Sequence, residues 1–188
     1  VIDLTHFPES IRDAGRLDGQ QLLIAQGYTV IGMFYNQSLF DELGVGYPSF
    51  RWTWDEYRET LEELRAANDN DDFWPAGDMS GDPSRLIVYL TQRGKQFFTE
   101  DGQIGFDVED AVAWFELWDG LRRDGLVPDA TTSQEFNGLP FEQSMFIRQI
   151  SAMQHAPFNQ LTLYKGAIGD DVELGLALLP RIERSEER

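Results

Sequence analysis

The chain has 188 residues and a formal net charge of −18, with 33 acidic side chains against 15 basic ones. That balance argues against a nucleic-acid backbone or an anionic membrane as partner, since both need a basic surface, and the lack of cysteine excludes disulfides, thiol catalysis and Cys-ligated zinc. Hydrophobic residues at 41% and charged ones at 26% are ordinary for a globular protein, and the length suffices to bury a substantial core.

A short helix is expected over residues 10–17, with Pro8 just ahead of it. Residues 20–35 are largely apolar and broken by Gly27 and Gly32, which reads as two strands or one strand bent at Gly27. Asn36 caps a helix over 37–43 that Gly44 stops. The clearest local signal covers 53–67. Thr53 and Glu56 have the spacing of a capping box, and Tyr57, Leu61 and Leu64 then recur at helical intervals. Residues 73–82 (FWPAGDMSGD) read as a loop ending in the N-cap Asp82, with Pro83 at the first helical position and Gly94 as the stop.

Asp101-Gly102 marks a hairpin turn within residues 99–105. Asp107 opens the longest helix, to about Asp124, with Asp110 as its box partner and Val108, Val112, Phe115, Trp118 and Leu121 as one apolar stripe. A helix over 141–148, a strand over 151–155, a helix over 157–164 and a strand over 173–178 complete the chain. Helices alternating with short apolar strands predict the α/β class, with mixed or parallel pairing in a three-layer sandwich. No apolar run approaches the ~20 residues that cross a bilayer, and no signal peptide is read.

The chemistry that is missing narrows the function. The glycines form neither G-x-G-x-x-G nor G-x-x-x-x-G-K, so no phosphate cradle is present, and no G-x-S-x-G supports an esterase. The two histidines, His6 and His155, are far apart, which argues against a His-based metal site; His155 reads as a structural strand-end residue. No metal and no cofactor are expected. Asp78 and Asp82 share a loop with Trp74 and could imitate a glycosidase acid/base pair, although Asp82 reads better as an N-cap and Asp78 equally as a solvated loop residue or a ligand contact.

Three motifs, in order, carry a family resemblance. Met33-Phe34-Tyr35-Asn36 with Leu39-Phe40 and Gly44 is similar to "YYN-x-x-LF-x-x-x-G"; Pro48 with Trp52-Thr53-Trp54-Asp55-Glu56 is similar to "P-x-TWDE". Ala111, Phe115 and Leu126-Val127-Pro128, then Phe146 and Ser151-Ala152-Met153, are similar to a helix followed by "F-x-x-G-x-x-AM", with Arg148 and Gln149 standing where a Gly-Lys pair is usual. On these residues the chain resembles the extracellular solute-binding proteins of family 1, sugar receptors of ABC importers related to maltose-binding protein.

The resemblance implies an incomplete type II periplasmic-binding-protein-like fold, because family members are roughly twice this long, with two lobes joined by a hinge. It places residues 1–27 as the tail of a first-lobe segment, 28–180 as the second, three-layer α/β/α lobe, and 181–188 as a charged tail at the return crossing. It implies no catalytic residue. A carbohydrate would be captured between lobes and delivered to the membrane subunits of an ABC permease. The full-length protein would be a bacterial monomer, periplasmic or lipid-anchored at the cell surface.

The ligand contacts so implied are Tyr28 and Thr29 at the lobe crossing, Trp74, Asp78 and Asp82 in the central loop, and Phe158, Asn159 and Gln160 after the Ala-Met strand. Phe158 and Trp74 each read either as a stacking platform for a sugar or as a packing anchor. Two other readings stay open: a glycoside-active enzyme using Asp78 and Asp82, and a receptor for a polyamine, iron or an anion, for which Arg85 is the nearby cation.

Overall fold

Asp18 and Gly19 both take left-handed backbone angles, φ 49° and 77°, and so close a tight two-residue hairpin between β1 (Arg16–Leu17) and β2 (Gln20–Gln21). This turn corrects the helix expected over 10–17. Helix α1 (Glu9–Asp13) stops before it, and the chain reverses instead of continuing. In this computed structural model, residues 3–25 and 27–183 are described; Val1, Ile2, Gln26 and the last five residues of the expected tail lie outside them. Contacts divide the chain into two units, Val1–Val30 and Ile31–Arg188. Among the described residues of the apolar stretch at 20–35, only Gln20–Gln21 and those of β3 (Ile31–Asn36) are in strands; Leu22, Leu23 and Tyr28 are exposed.

The second unit is built on a four-stranded mixed sheet in the order β4-β5-β3-β6. Strand β3 lies between β5 (Ser151–Pro157) and β6 (Leu174–Leu178), antiparallel to both, while β4 (Trp74–Ala76) pairs parallel with β5 at one edge. Residues 32–36 of β3 are all buried because both faces of the sheet are covered. Side chains alternate across a strand, so Met33 and Tyr35 join one core with Phe40, Tyr57, Leu61, Trp114 and Trp118, while Phe34 joins another with Phe146, Ala156 and Tyr164. Two cores on opposite faces of one sheet make the three-layer α/β arrangement that the alternating elements predict.

Local capping sets the helices. Asn36 Oδ1 accepts from the Leu39 N–H at the start of α2 (Gln37–Leu43), and the Thr53–Glu56 box starts α3 (Trp54–Ala67). Asp82 caps α4 (Pro83–Gln92), and an Asp107–Asp110 box opens α5 (Val108–Arg123). Arg93, just past α4, reaches Asp110 of α5 at 2.7 Å and ties the two helices together.

The stripe expected on α5 is corrected. Trp118 and Leu121 of that stripe are buried as expected, but they belong to a second i, i+4, i+7 stripe with Trp114, while Val108, Val112 and Phe115 are exposed. Two tryptophans and a leucine bury more apolar area than two valines and a phenylalanine, which decides the contest. Trp54 fixes the buried face by edge-on contacts to Tyr57, Tyr89, Trp114 and Trp118 at 5.8–6.3 Å.

Further differences lie in the second half. Residues 74–76, read as loop, are the edge strand β4, where Pro75 is tolerated because an edge position leaves its missing N–H without consequence. Helix α6 (Ala130–Asn137), which the sequence reading omits, is capped by Asp129 accepting from the Thr132 N–H at 2.8 Å. The helix expected over 141–148 is only a single 3-10 turn at Phe141–Gln143, because Ser144 returns to extended backbone. Over 157–164 the chain makes another such turn, Phe158–Gln160, before α7 (Leu161–Ile168).

Candidate functional site

Strands β4 and β5 run parallel; β4 releases the chain at Gly77, and β5 runs on beyond that edge pairing through Gln154 and His155 to Pro157. The crevice outside such strand ends is where α/β sheets place ligands. Here it is an open groove of about 590 Å³ between the loop at residues 78–83 and one face of α6. Asp78, Ser80, Asp82, Arg122, Ser133 and His155 are among its lining residues. It shares Asp78, Ser133, Asn137 and His155 with a smaller recess of about 100 Å³ that adds Gln154, Phe136, Tyr164 and Ser144.

The loop is held from α5. Trp114 Nε1 donates to the Ser80 carbonyl at 3.1 Å, and Arg122 donates from Nε to Asp78 Oδ2 at 2.8 Å and from a terminal nitrogen to Ser80 Oγ. Asp78 Oδ1 accepts from the Ser80 N–H at 2.7 Å, so both oxygens of a carboxylate that is 3% exposed are engaged. On the α4 side, Asp82 Oδ1 accepts from the Ser84 N–H and hydroxyl at 2.9 and 2.5 Å, and Arg85 lies 3.5 Å from Asp82 Oδ2. Arg85, itself buried, donates from Nε to Nδ1 of His155 at 2.9 Å and from a terminal nitrogen to Ser84 Oγ at 2.8 Å.

These contacts set the charge states. Burial works to raise the Asp82 carboxyl, but the Ser84 hydroxyl and N–H, with Arg85 behind them, outweigh it and hold the group below the usual carboxylate range. Burial, reinforced by the Arg85 charge and opposed by Asp82, pushes the His155 imidazole down to about 3. The groove is therefore lined by Asp78, Asp82, Arg122 and a neutral histidine, and Arg85, buried behind Asp82 and His155, supplies the second positive charge that balances the two aspartates. A carboxyl kept ionised is a poor proton donor near neutral pH, which counts against a glycosidase acid at Asp82. Arg85, 7% exposed in its side chain and bonded to Ser84, Asp82 and His155, is not presented as an anion clamp. Among the described residues, no group of three or more His, Asp or Glu side chains is placed to hold a metal.

Of the residues predicted to touch a ligand, Asp78 and Asp82 line the groove. Trp74 sits on β4 with its ring 6.5 Å from Phe136, a member of the recess. The Phe158 ring packs over Gly32, where a Cβ would collide with it, and stacks on Phe34 at 6.1 Å; Phe158, Asn159 and Gln160 are not among the groove's lining residues. Tyr28 and Thr29 belong to the first unit, with Tyr28 exposed. Sequence reasoning missed Arg122, Ser133, Gln134 and Asn137, and favoured a structural place for His155 over a functional one. Nothing local marks Arg122, but the Pro128-Asp129 start of α6 was a legible helix signal.

The sequence profile of the bacterial extracellular solute-binding proteins matches residues 5–143. A protein of Brucella abortus (strain 2308), named as a binding protein, is 23% identical over 176 residues, 93% of this chain and 41% of the relative. Among solved structures, the ABC substrate-binding protein Lmo0181 of Listeria monocytogenes, in complex with cycloalternan, superposes with a TM-score of 0.77 at 19% identity, over 96% of this chain and 45% of its own. The GacH receptor of Streptomyces glaucescens, solved unliganded and with acarbose, gives 0.75 at 20% identity, over 98% and 46%. At these identities the structures establish a shared fold, and the chain spans under half the length of each of these three proteins.

Proposed function

The chain belongs to the bacterial extracellular solute-binding proteins, and from that premise we propose that it is the ligand-holding lobe of a carbohydrate receptor for an ABC importer. Residues 28–180 form the second lobe in this reading, 1–27 the end of a first-lobe segment, and 181–188 the start of a return crossing. The receptor works outside the cytoplasm, in the periplasm or anchored by lipid at the cell surface, as a monomer. It captures a sugar reversibly between lobes and hands it unaltered to a permease; no chemistry is performed.

The observation that carries this reading is the neutral, hydrogen-bonding character of the groove. Each arginine is matched by its own aspartate, His155 is uncharged, and Ser80, Ser133, Gln134, Asn137 and Gln154 surround them. Adjacent hydroxyls on a sugar both donate and accept, so they match a mixed set of carboxylates, amides and N–H groups without adding charge. The Ser144 hydroxyl, buried behind the recess, has no hydrogen-bond partner among the described residues. Phe136 and Tyr164 there, and Trp74 beside Phe136, supply aromatic faces for the C–H side of a pyranose.

Tyr28 and Thr29 remain proposed contacts from the crossing, and Phe158, Asn159 and Gln160 proposed contacts outside the groove lining. Cycloalternan and acarbose, held by the two structural relatives, make neutral oligosaccharides and sugar analogues the first compounds to try. Calorimetric titration of this chain with a sugar panel tests the reading. Weak binding, on the order of millimolar, is expected from one lobe. Nanomolar binding would contradict the half-cleft argument.

A further inference from the structure

Arginine is the one side chain that has donors on every nitrogen and never gives up its proton in a protein. Any nitrogen bonded to its N–H must therefore offer a lone pair. Arg85 Nε lies 2.9 Å from Nδ1 of His155, so Nδ1 is the unprotonated position and the neutral ring carries its proton on Nε2. Protonating Nδ1 would place two N–H groups and two positive charges face to face inside a protein wall, where burial already disfavours the imidazolium. Nε2 has no hydrogen-bond partner among the described residues, and His155 lines both the groove and its recess.

We propose that Arg85 is a positioning residue for the binding groove, locking His155 as the Nε2–H tautomer so that the groove presents a permanent N–H donor to its ligand. The ligand half of this statement rests on the sugar-receptor reading above; the tautomer half does not. The groups facing His155 are Arg85 from α4, Asp82 at its cap, Asp78 from the loop and Tyr164 from α7. Burial raises the Tyr164 phenol, which stays neutral in the physiological range, and Asp82 is held ionised. An unlocked histidine would switch between donor and cation between pH 5 and 8. With the lock, the hydrogen-bond inventory of the groove stays constant across that interval, which suits a receptor exposed to changing external pH.

Only two histidines exist, so long-range proton–nitrogen NMR of the labelled 188-residue chain reads the state directly, with His6→Gln assigning the pair. Between pH 8 and 5, His155 is expected to show a protonated Nε2 and a lone-pair Nδ1 without change, while an imidazole standard titrates near ~6.5. A protonated Nδ1, or titration of His155 within the interval, overturns the proposal. Arg85→Met should release the ring to titrate or to populate both tautomers; an unchanged spectrum counts against the lock.

In titrations with neutral oligosaccharides, His155→Gln, which keeps an N–H near the Nε2 position, should bind within roughly threefold of the parent, and His155→Leu should lose about tenfold. Equal binding by His155→Leu would refute the donor role. Failure of every saccharide to bind the parent chain would sink the sugar reading, and with it the ligand half, while the NMR result alone decides the tautomer.

Discussion

Replacing Asp78 by asparagine removes one charge from the groove and almost no volume. The amide introduced by Asp78→Asn could still accept the Ser80 N–H through its carbonyl, so the change isolates the pairing with Arg122, whose Nε and terminal nitrogen approach Asp78 Oδ2 at 2.8 and 2.7 Å. Removing one partner of a buried pair costs ~3–5 kcal/mol, because the other charge is left without compensation. Arg122 is 22% exposed and keeps its bond to Ser80 Oγ, which places the expected loss at about 2–3 kcal/mol. For a chain of this length that is a drop in Tm of roughly 5–10 °C. Urea denaturation followed by tryptophan fluorescence, with calorimetry, measures it. Arg122→Met should also destabilise, since it strands the buried carboxylate, and the double variant should couple with the singles by about 1 kcal/mol or more. A loss under about 0.5 kcal/mol for Asp78→Asn, or strict additivity, would refute the claim that this pair fixes the loop.

Gly175→Ala should cost about 1–3 kcal/mol, because a Cβ there falls inside the Tyr35 ring on the neighbouring strand; adding Tyr35→Leu should recover part of the loss, and a silent Gly175→Ala in the denaturation curve would contradict the packing. Thr53→Ala removes the acceptor for the Glu56 N–H at 3.1 Å and should lower stability by about 1 kcal/mol, while Thr53→Ser should stay near the parent; equal melting of all three would deny the cap its role. His155, neutral in the fold down to about 3 and titrating near ~6.5 when unfolded, lets the unfolded chain bind more protons as pH falls through 6.5. Its stabilising contribution is therefore complete above that pH and shrinks below it, by about 1–2 kcal/mol between pH 7 and 5 once partial exposure is discounted. His155→Gln should flatten this part of the stability profile, and an identical slope in parent and variant would be decisive against it.

The elements legible in the sequence are those whose ends are fixed by neighbours in the chain. Asn36 caps through Leu39, Thr53 through Glu56, Asp82 through Ser84 and Asp107 through Asp110, all within three residues. Where stability comes from distant partners the reading failed. Strand β4 exists because Trp74–Ala76 aligns with Ser151–Met153, and the burial of α5 depends on which of two apolar stripes meets Trp54. The central loop stood out in the sequence because Asp78 and Asp82 share it with Trp74 and the family resemblance implied ligand contacts there, although both acids also have structural partners, Asp82 as the cap of α4 and Asp78 in its pairing with Arg122. Its partner Arg122 lies 44 residues further on, and His155 reaches Arg85 across 70 residues, so neither pairing leaves a local trace. Phe158, chosen for its place after the Ala-Met strand, lies over Gly32 of β3, a contact no sequence periodicity reveals.

Amide chemical-shift mapping of the chain reads out whether the groove takes a neutral carbohydrate, as proposed. Titrated with linear and cyclic neutral glucans, and with a polyamine and a galacturonide for comparison, the protein should show saturable shifts at residues 77–83, 130–137 and 154–155 for neutral sugars only. Shifts there from the charged compounds but not from any neutral sugar, or sugar-induced shifts confined to surfaces away from those three segments, would contradict the proposal.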